Sequence, residues 1–258
     1  MLRTVLCCPL LLAIAAGCSE YVAPGRGASL DQLAPEARRE ATDVNLRAAF
    51  DRKPLANFPA SIAVARIQAP GYRSYTAQGW GNGRYSLITT RDIEKPEQFD
   101  KLAALPMVQG IAPIGRLSIS SPDLRSDVEL RQAAAQLQAD MLLIYTIDTA
   151  FYVRDMATPL TVISLGLSPN KEARITTTAS AVLLDTRTGY IYGSAEATDR
   201  SDRLANAWTS DDAVDMSRLK TESAAFDKLV IDLQKMWPGV VKRYALPSAP
   251  ATQPAQGG

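Results

Sequence analysis

A helix that runs almost without a linker into a buried strand decides what kind of layers this chain builds. Ser126, with Glu129 three residues later, is a capping-box pattern, in which the two side chains satisfy the first free amides of a helix. Leu130, Ala133, Ala134 and Leu137 follow at helical spacing. Directly afterwards, Met141 to Ile147 is an apolar run rich in branched and aromatic side chains and too short for a second helix. The spacing predicts a helix, a tight connection and a buried strand, the unit from which layered α/β domains are made.

The rest of the chain supplies partners for that unit. Ser61 to Ile67 places Ile62, Val64 and Arg66 on one face and Ala63, Ala65 and Ile67 on the other, which predicts a central strand covered on both sides. Arg174 to Leu184 and Tyr190 to Ala197 read as two strands joined at Asp185, Thr188 and Gly189, with Gly189 supplying the positive φ of the turn. Pro35 opens a modest amphipathic helix carrying Ala37, Ala41, Val44 and Ala48. Pro96 and Phe99 to Ala104 suggest a short helix, and MVQGIAPIG, residues 107–115, a strand bent or placed at an edge by Gly110 and Pro113. GYRSYTAQGWGNGRY, residues 71–85, reads better as a long loop than as a hairpin tip. A final helix capped by Ser217 carries the stripe Phe226, Leu229, Val230, Leu233 and Trp237, and Pro238 with Gly239 is expected to end it. The fold class is therefore α/β: a single domain over residues 34–245, a mixed β-sheet flanked by α-helices. Residues 18–33 lack periodicity and read as a tether, and the Pro-, Ala- and Gln-rich residues 246–258 as a disordered tail.

At the other end, Arg3 gives a positive start and Val5 to Ala16 an apolar stretch well short of the roughly 20 residues that cross a bilayer. Ala15, Ala16 and Gly17 stand immediately before Cys18. These residues resemble the lipobox of bacterial lipoproteins, with Ala15 where the family usually has leucine. The resemblance implies that residues 1–17 are a signal peptide and that Cys18 is lipidated, with fatty chains such as palmitate, and becomes the mature N-terminus. The alternative is an ordinary signal peptide that leaves Cys18 as a free thiol. One acyl chain anchors only marginally, whereas two or more anchor stably. Ser19, rather than aspartate, after the cysteine implies the outer membrane, with the domain on its periplasmic face, in a bacterium with two membranes.

Composition then narrows the chemistry. The chain has no histidine, and Cys7 and Cys8 fall in the segment that would be removed. Ser-His-Asp, Cys-His and Cys/His zinc chemistry are thereby excluded. Without Arg3, the 27 basic residues equal the 27 acidic ones, so net charge offers nothing to draw nucleic acid or anionic surfaces. The acids Asp148, Asp155, Asp185 and Glu196 at strand ends and turns are the candidates for a hydrolytic pair or an oxygen-rich metal site. Their plainer reading is as solvated or capping groups, so no catalytic residue, cofactor or metal is expected. Residues 79–85, GWGNGRY, contain neither glycine pattern of a phosphate loop. Tyr72, Tyr75, Trp80 and Tyr85 could form an aromatic surface for a partner, and Pro159 to Leu167 either a core strand or a contact with lipid or another subunit.

QLQADMLLIYTIDT and the later ASAVLLDTRTGYIYGSAE together resemble the CsgG-like lipoproteins of curli secretion, over roughly Ile62 to Trp237. In that family an Ala-Asp pair leads a buried strand, and a strand ending in Asp-x-x-Thr-Gly leads into the next. The resemblance implies a compact α/β domain on the periplasmic side of the outer membrane, in proteins that assemble as rings or scaffolds. Glu196, Asp199, Arg200, Asp202, Arg203, Asp211 and Asp212 fall on both faces of any strand there, unlike a membrane-inserted hairpin, and favour a non-channel relative. The expected role is a lipid-anchored, non-enzymatic structural, assembly or secretion-accessory protein that binds another envelope protein or itself. The alternatives are a periplasmic module for a small ligand or polysaccharide, and a subunit of an oligomeric outer-membrane channel.

Overall fold

The computed structural model describes residues 23–155, 171–205 and 211–245. Cys18, the signal segment, residues 159–167 and the tail lie outside the described residues. The strands are β1 (Ala60–Gln68), β2 (Ser86–Ile88), β3 (Val108–Pro113), β4 (Met141–Asp155), β5 (Lys171–Asp185) and β6 (Ile191–Ala205). They form one mixed sheet in the order β2-β1-β4-β5-β6, with β3 also paired to β1. The helices are α1 (Leu30–Leu33), α2 (Glu36–Arg39), α3 (Asp43–Asp51), α4 (Pro96–Ala103), α5 (Asp127–Gln136) and α6 (Asp211–Tyr244).

The αβ unit forms as its residues dictate. Glu129 accepts the Ser126 amide at 3.0 Å and Ser126 Oγ accepts the Val128 amide at 3.2 Å, closing the start of α5. At its end the amides of Ala139 and Gln138 bond to the carbonyls of Ala134 and Ala135 at 2.9 and 3.0 Å, a Schellman arrangement that holds Gln138 at φ +55. The chain then enters β4, where Met141–Ile144 lies parallel to Ile62–Ala65 of β1. The other edge of β1 is shared by parallel β3 and antiparallel β2, so β1 is paired on both sides and buried on both faces. On one face, α4 and α6 pack over Ile62, Val64, Leu143, Tyr145 and Leu183; on the other, α5 covers Ala63, Ala65, Leu142 and Ile144.

The turn residues act as expected: Gly189 sits at φ +67 and its amide bonds to the Asp185 carbonyl at 2.9 Å. The pairing shifts between Leu183 and Leu184, which face Gly193 and Ile191 and leave Tyr192 as the extra residue of a bulge. Strands β4, β5 and β6 are each 15 residues long, well beyond the apolar cores that marked them. Their outer halves pair through Thr176, Thr177 and Thr178, residues whose branched side chains suit a strand without an apolar signature.

Three stretches depart from expectation. The segment read as a tether is docked from Gly25 onward: its amide bonds to Arg73 at 3.1 Å, Gly27 bridges to Gln68, and Leu33 is buried. Its fastening runs through the backbone, with the amides of Gly27 and Ala28 donating to Asp148 and Thr146 at 3.0 and 2.7 Å, so it leaves no hydrophobic period. The helix expected from Pro35 divides into α2 and α3, because Thr42 Oγ1 accepts the Asn45 amide at 3.3 Å and starts a new helix. No residue of α3 is buried, and Val44 and Phe50 are 73% and 84% exposed. Finally, α6 begins before Ser217, whose hydroxyl donates within the helix to Ala213, and it continues past Pro238 to Tyr244. A helical proline costs about 3 kcal/mol. Packing on either side offsets this: the Trp237 indole donates to the Pro106 carbonyl at 2.7 Å, Val240 is buried, and Tyr244 stacks edge-on with Tyr190 and Tyr192.

Leu229, wholly buried where α6 meets the sheet, makes the layer contact testable. Leu229→Ala is expected to lower the unfolding free energy by about 3 kcal/mol in urea titration with an unchanged slope.

Candidate functional site

The four acids singled out in the sequence do not converge. Asp185 is buried and fully occupied: Oδ1 accepts the amides of Arg187 and Thr188 at 2.9 and 3.0 Å, and Oδ2 the Leu55 amide and Tyr192 hydroxyl at 2.6 and 2.8 Å. Burial alone would raise its pKa, and these donors outweigh burial and hold the carboxyl below its usual range. Asp148 fastens the Gly27 amide, and Glu196 accepts the Ser180 hydroxyl at 2.8 Å. Asp148 and Glu196 lie on β4 and β6 with β5 between them and two residues out of register, roughly 12 Å apart between backbones. Of Asp155 only the backbone pairing with Lys171 is described. Among the described residues no group of three or more metal-ligating side chains gathers.

Two of the four aromatics offered as an alternative contact surface turn inward. Tyr72 and Tyr85 are buried, and the Tyr85 hydroxyl donates to the Ser126 carbonyl at 2.9 Å. Trp80 bridges to Leu87 and lies under Arg116, 5.7 Å from ring centre to guanidinium. Only Tyr75 of the four is exposed, and its hydroxyl donates to Asp212 at 2.8 Å. Glycines among these aromatics let the loop fold inward: a Cβ on Gly83 would lie 2.0 Å from the Leu124 carbonyl oxygen. Alternation of aromatic and glycine residues marks close packing here as readily as exposure.

What the sheet does gather is a chain of buried charges beneath α6. Arg66 on β1, 1% exposed, bonds Asp92 at 2.7 Å and lies 3.5 Å from Glu94. The Tyr145 hydroxyl donates to Glu94 at 2.5 Å and accepts Arg91 at 2.9 Å. Thr76 links the two halves, donating to Asp92 at 2.6 Å and accepting Arg218 of α6 at 2.8 Å. Arg218, fully buried, also holds Asp215 and Glu222 at 2.7 and 2.6 Å, and Thr149 of β4 donates to Glu222 at 2.7 Å. Burial would lower the Arg66 pKa, but the carboxylates of Glu94 and Asp92 outweigh it and leave it raised. Asp92 feels burial in the opposite sense, and Arg66 outweighs it to hold the carboxyl low. For Glu222 burial prevails over Arg218 and its pKa is raised. In the sequence only the place of Arg66 on an inward face hinted at this network.

The network also leaves polar atoms without partners: Arg66 Nε and Nη2, the Tyr72 hydroxyl and Glu94 Oε2. Beside it, a groove of about 300 Å³ is lined by Arg91, Glu94 and Lys95 with Phe99, Ile111 and Pro113. A second groove, about 250 Å³ and mainly apolar, lies where the docked N-terminal segment crosses Ile67, Ile144 and Val182.

No protein-family model matches the chain. No curated protein sequence matches it either. Among solved structures it is similar to a candidate lipoprotein from Caulobacter crescentus, at 13% identity and a TM-score of 0.26, covering 45% of this chain and 80% of that one. It is also similar to a DUF330 protein from Xanthomonas campestris, at 11% identity and a TM-score of 0.29, covering 73% of this chain and 91% of that one. At these TM-scores neither similarity supports an inference about activity or partners.

The buried pairs set an acid limb for stability. A carboxylate with a depressed folded-state pKa stabilises the fold above its unfolded value, near about 3.9, and the stabilisation is lost as pH falls through the folded value. Asp92 and Asp185 both have this sign, whereas Glu222 favours its proton in the fold and opposes them. The urea midpoint is therefore expected to fall between about pH 5 and about pH 2, with a shallower fall in Asp92→Asn. At neutral pH, Arg66→Met, which strands two carboxylates, is expected to cost about 3–5 kcal/mol by the same titration.

Proposed function

We propose that this chain is a lipid-anchored protein of the bacterial cell envelope, held through Cys18 at the periplasmic face of the outer membrane, whose domain has a non-enzymatic structural or assembly role. The observation that carries this reading is the docked segment. Six residues, or seven Cα–Cα steps, separate Cys18 from Gly25, the first described residue whose amide is fastened to the domain. Fully extended, those seven steps reach about 25 Å, so a lipid on Cys18 keeps the domain against the bilayer. Just beyond Gly25, Leu30, Val44, Leu46, Phe50 and Leu55 present exposed apolar side chains, with Phe50 the most exposed of them. Apolar side chains on short, weakly docked helices and the loop after them, beside an anchor, suit contact with another envelope protein or a second copy. Among the described residues no helix is long and apolar enough to cross a membrane. Exposed Glu196 and Arg200 on β6 are poorly suited to a lipid-facing strand.

Native protein and Cys18→Ser are to be compared by intact mass, membrane fractionation and light scattering after sizing in detergent. A lipid-sized mass increment and membrane association, both lost in Cys18→Ser, are expected, with a discrete assembly or a co-purifying partner. Unmodified, freely soluble, monomeric native protein would exclude both anchor and assembly.

A further inference from the structure

Three arginines crowd one carboxylate at the edge of a groove beside α1. Asp127, buried at the start of α5, accepts Arg38 Nη2 at 2.5 Å on one oxygen and Arg131 Nε at 2.9 Å on the other. Arg131 donates further to the carbonyls of Thr186 and Arg187 at 3.3 and 3.2 Å. Gly189 closes this corner, since a Cβ there would lie 3.2 Å from Asp127 Oδ2 and 3.4 Å from the Arg131 guanidinium carbon. Arg52, just past α3, lines the same groove with Arg38 and Asp127. Among the described residues it makes no hydrogen bond or ion pair. The groove encloses about 290 Å³, and Leu30, Leu33, Leu184 and Ile191 supply apolar walls.

Two guanidiniums, one on each oxygen of Asp127, already fasten α2 and the Asp185–Gly189 turn to α5. Arg52 adds a third positive charge to this corner without a hydrogen bond or ion pair of its own among the described residues. Partial desolvation and then repulsion from Arg38 lower its pKa, with Asp127 only partly compensating. A fastening role explains Arg38 and Arg131 and leaves Arg52 unexplained. Three guanidiniums against one carboxylate leave a local charge close to that needed to match a phosphate monoester, which carries about −1.5 to −2 at neutral pH. The planar guanidinium also meets phosphate oxygens two at a time. This local excess is compatible with the balanced charge of the chain as a whole.

We propose that the groove binds a phosphate group carried on an apolar body, with Arg52 and Arg38 holding the phosphate and Leu30, Leu33 and Ile191 the apolar part. The site does not depend on the anchor. The ligand is either a lipid headgroup or a free phosphorylated compound with an apolar portion, and both present the same chemistry to the arginines.

The test uses full-chain protein in a neutral detergent, followed by thermal unfolding and titration calorimetry. The probes are inorganic phosphate, dihexanoyl phosphatidic acid, and dihexanoylglycerol, which has the apolar body without phosphate. Phosphatidic acid is expected to raise Tm and dihexanoylglycerol to leave it unchanged. Arg52→Gln is expected to keep the unliganded Tm within about 2 °C and to weaken phosphatidic acid at least about tenfold, the loss of one charged hydrogen-bonding partner. Should Arg52→Gln fold poorly, Arg52→Lys keeps the charge but not the fork and is expected to weaken binding severalfold. With hexyl phosphate as a further probe, phosphatidic acid binding more tightly than hexyl phosphate supports the site and a lipid source, and the two binding equally but more tightly than inorganic phosphate supports the site and a free phosphorylated compound; inorganic phosphate binding as tightly as phosphatidic acid would overturn the proposal. No stabilisation by any phosphate probe, equal stabilisation by dihexanoylglycerol, or full affinity in the Arg52 variants would overturn it as well.

Discussion

Burial of one guanidinium on the central strand organises half of this molecule. An unpaired charge in that position would be costly enough to prevent folding, so Arg66 must meet carboxylates wherever β1 is covered. Asp92 and Glu94, just ahead of α4, supply them. Thr76 and Tyr145 tie those acids to the long loop and to β4, and Arg218 carries the chain of contacts into α6. The path of residues 69–95, with little regular structure of its own, follows from what the Arg66 charge requires. The buried Tyr72 and Tyr85 then fill the space around that path.

Elsewhere, single aspartates do a similar task for backbone. Asp140 accepts Asn57 from one side, the Ser61 amide at 3.3 Å and Arg187 at 3.0 Å. Asp185 gathers four donors from three segments, and Asp148 fastens the N-terminal crossing. Each joins chain that lacks an apolar face of its own to the sheet. Asp148 and Asp185, two of the four acids that looked like candidates for catalysis, are thus fasteners that secure loops and the N-terminal crossing to the sheet.

The layers were legible because they rest on periodicity. The capping box of α5, the run from Met141, the two-faced alternation around Val64 and the turn at Gly189 each carry a local signal, and each forms as read. What escaped depends on contacts distant in sequence. The passage of α6 through Pro238 rests on Pro106, Tyr190 and Tyr192, which no window around the proline contains. The docked segment is held by backbone bonds, and the weakly apolar stripe through α3 stays uncovered because spacing alone cannot say whether anything packs on it. Arg38, Arg52 and Asp127 come together only when α2, α3 and α5 are assembled, so the groove they line has no sequence motif.

The parallel pairing of β1 with β4 also sets the order in which structure can accumulate. Ile62 meets Met141 roughly 80 residues downstream, and closing a loop of that length costs about 4 kcal/mol of chain entropy before any contact repays it. β5 and β6, by contrast, are joined by a few residues and can zip from their turn on the microsecond timescale of a hairpin. High contact order is therefore concentrated at the centre of the sheet and low contact order at its β6 edge. The strand that ends up most deeply enclosed is the one that waits longest for its neighbour.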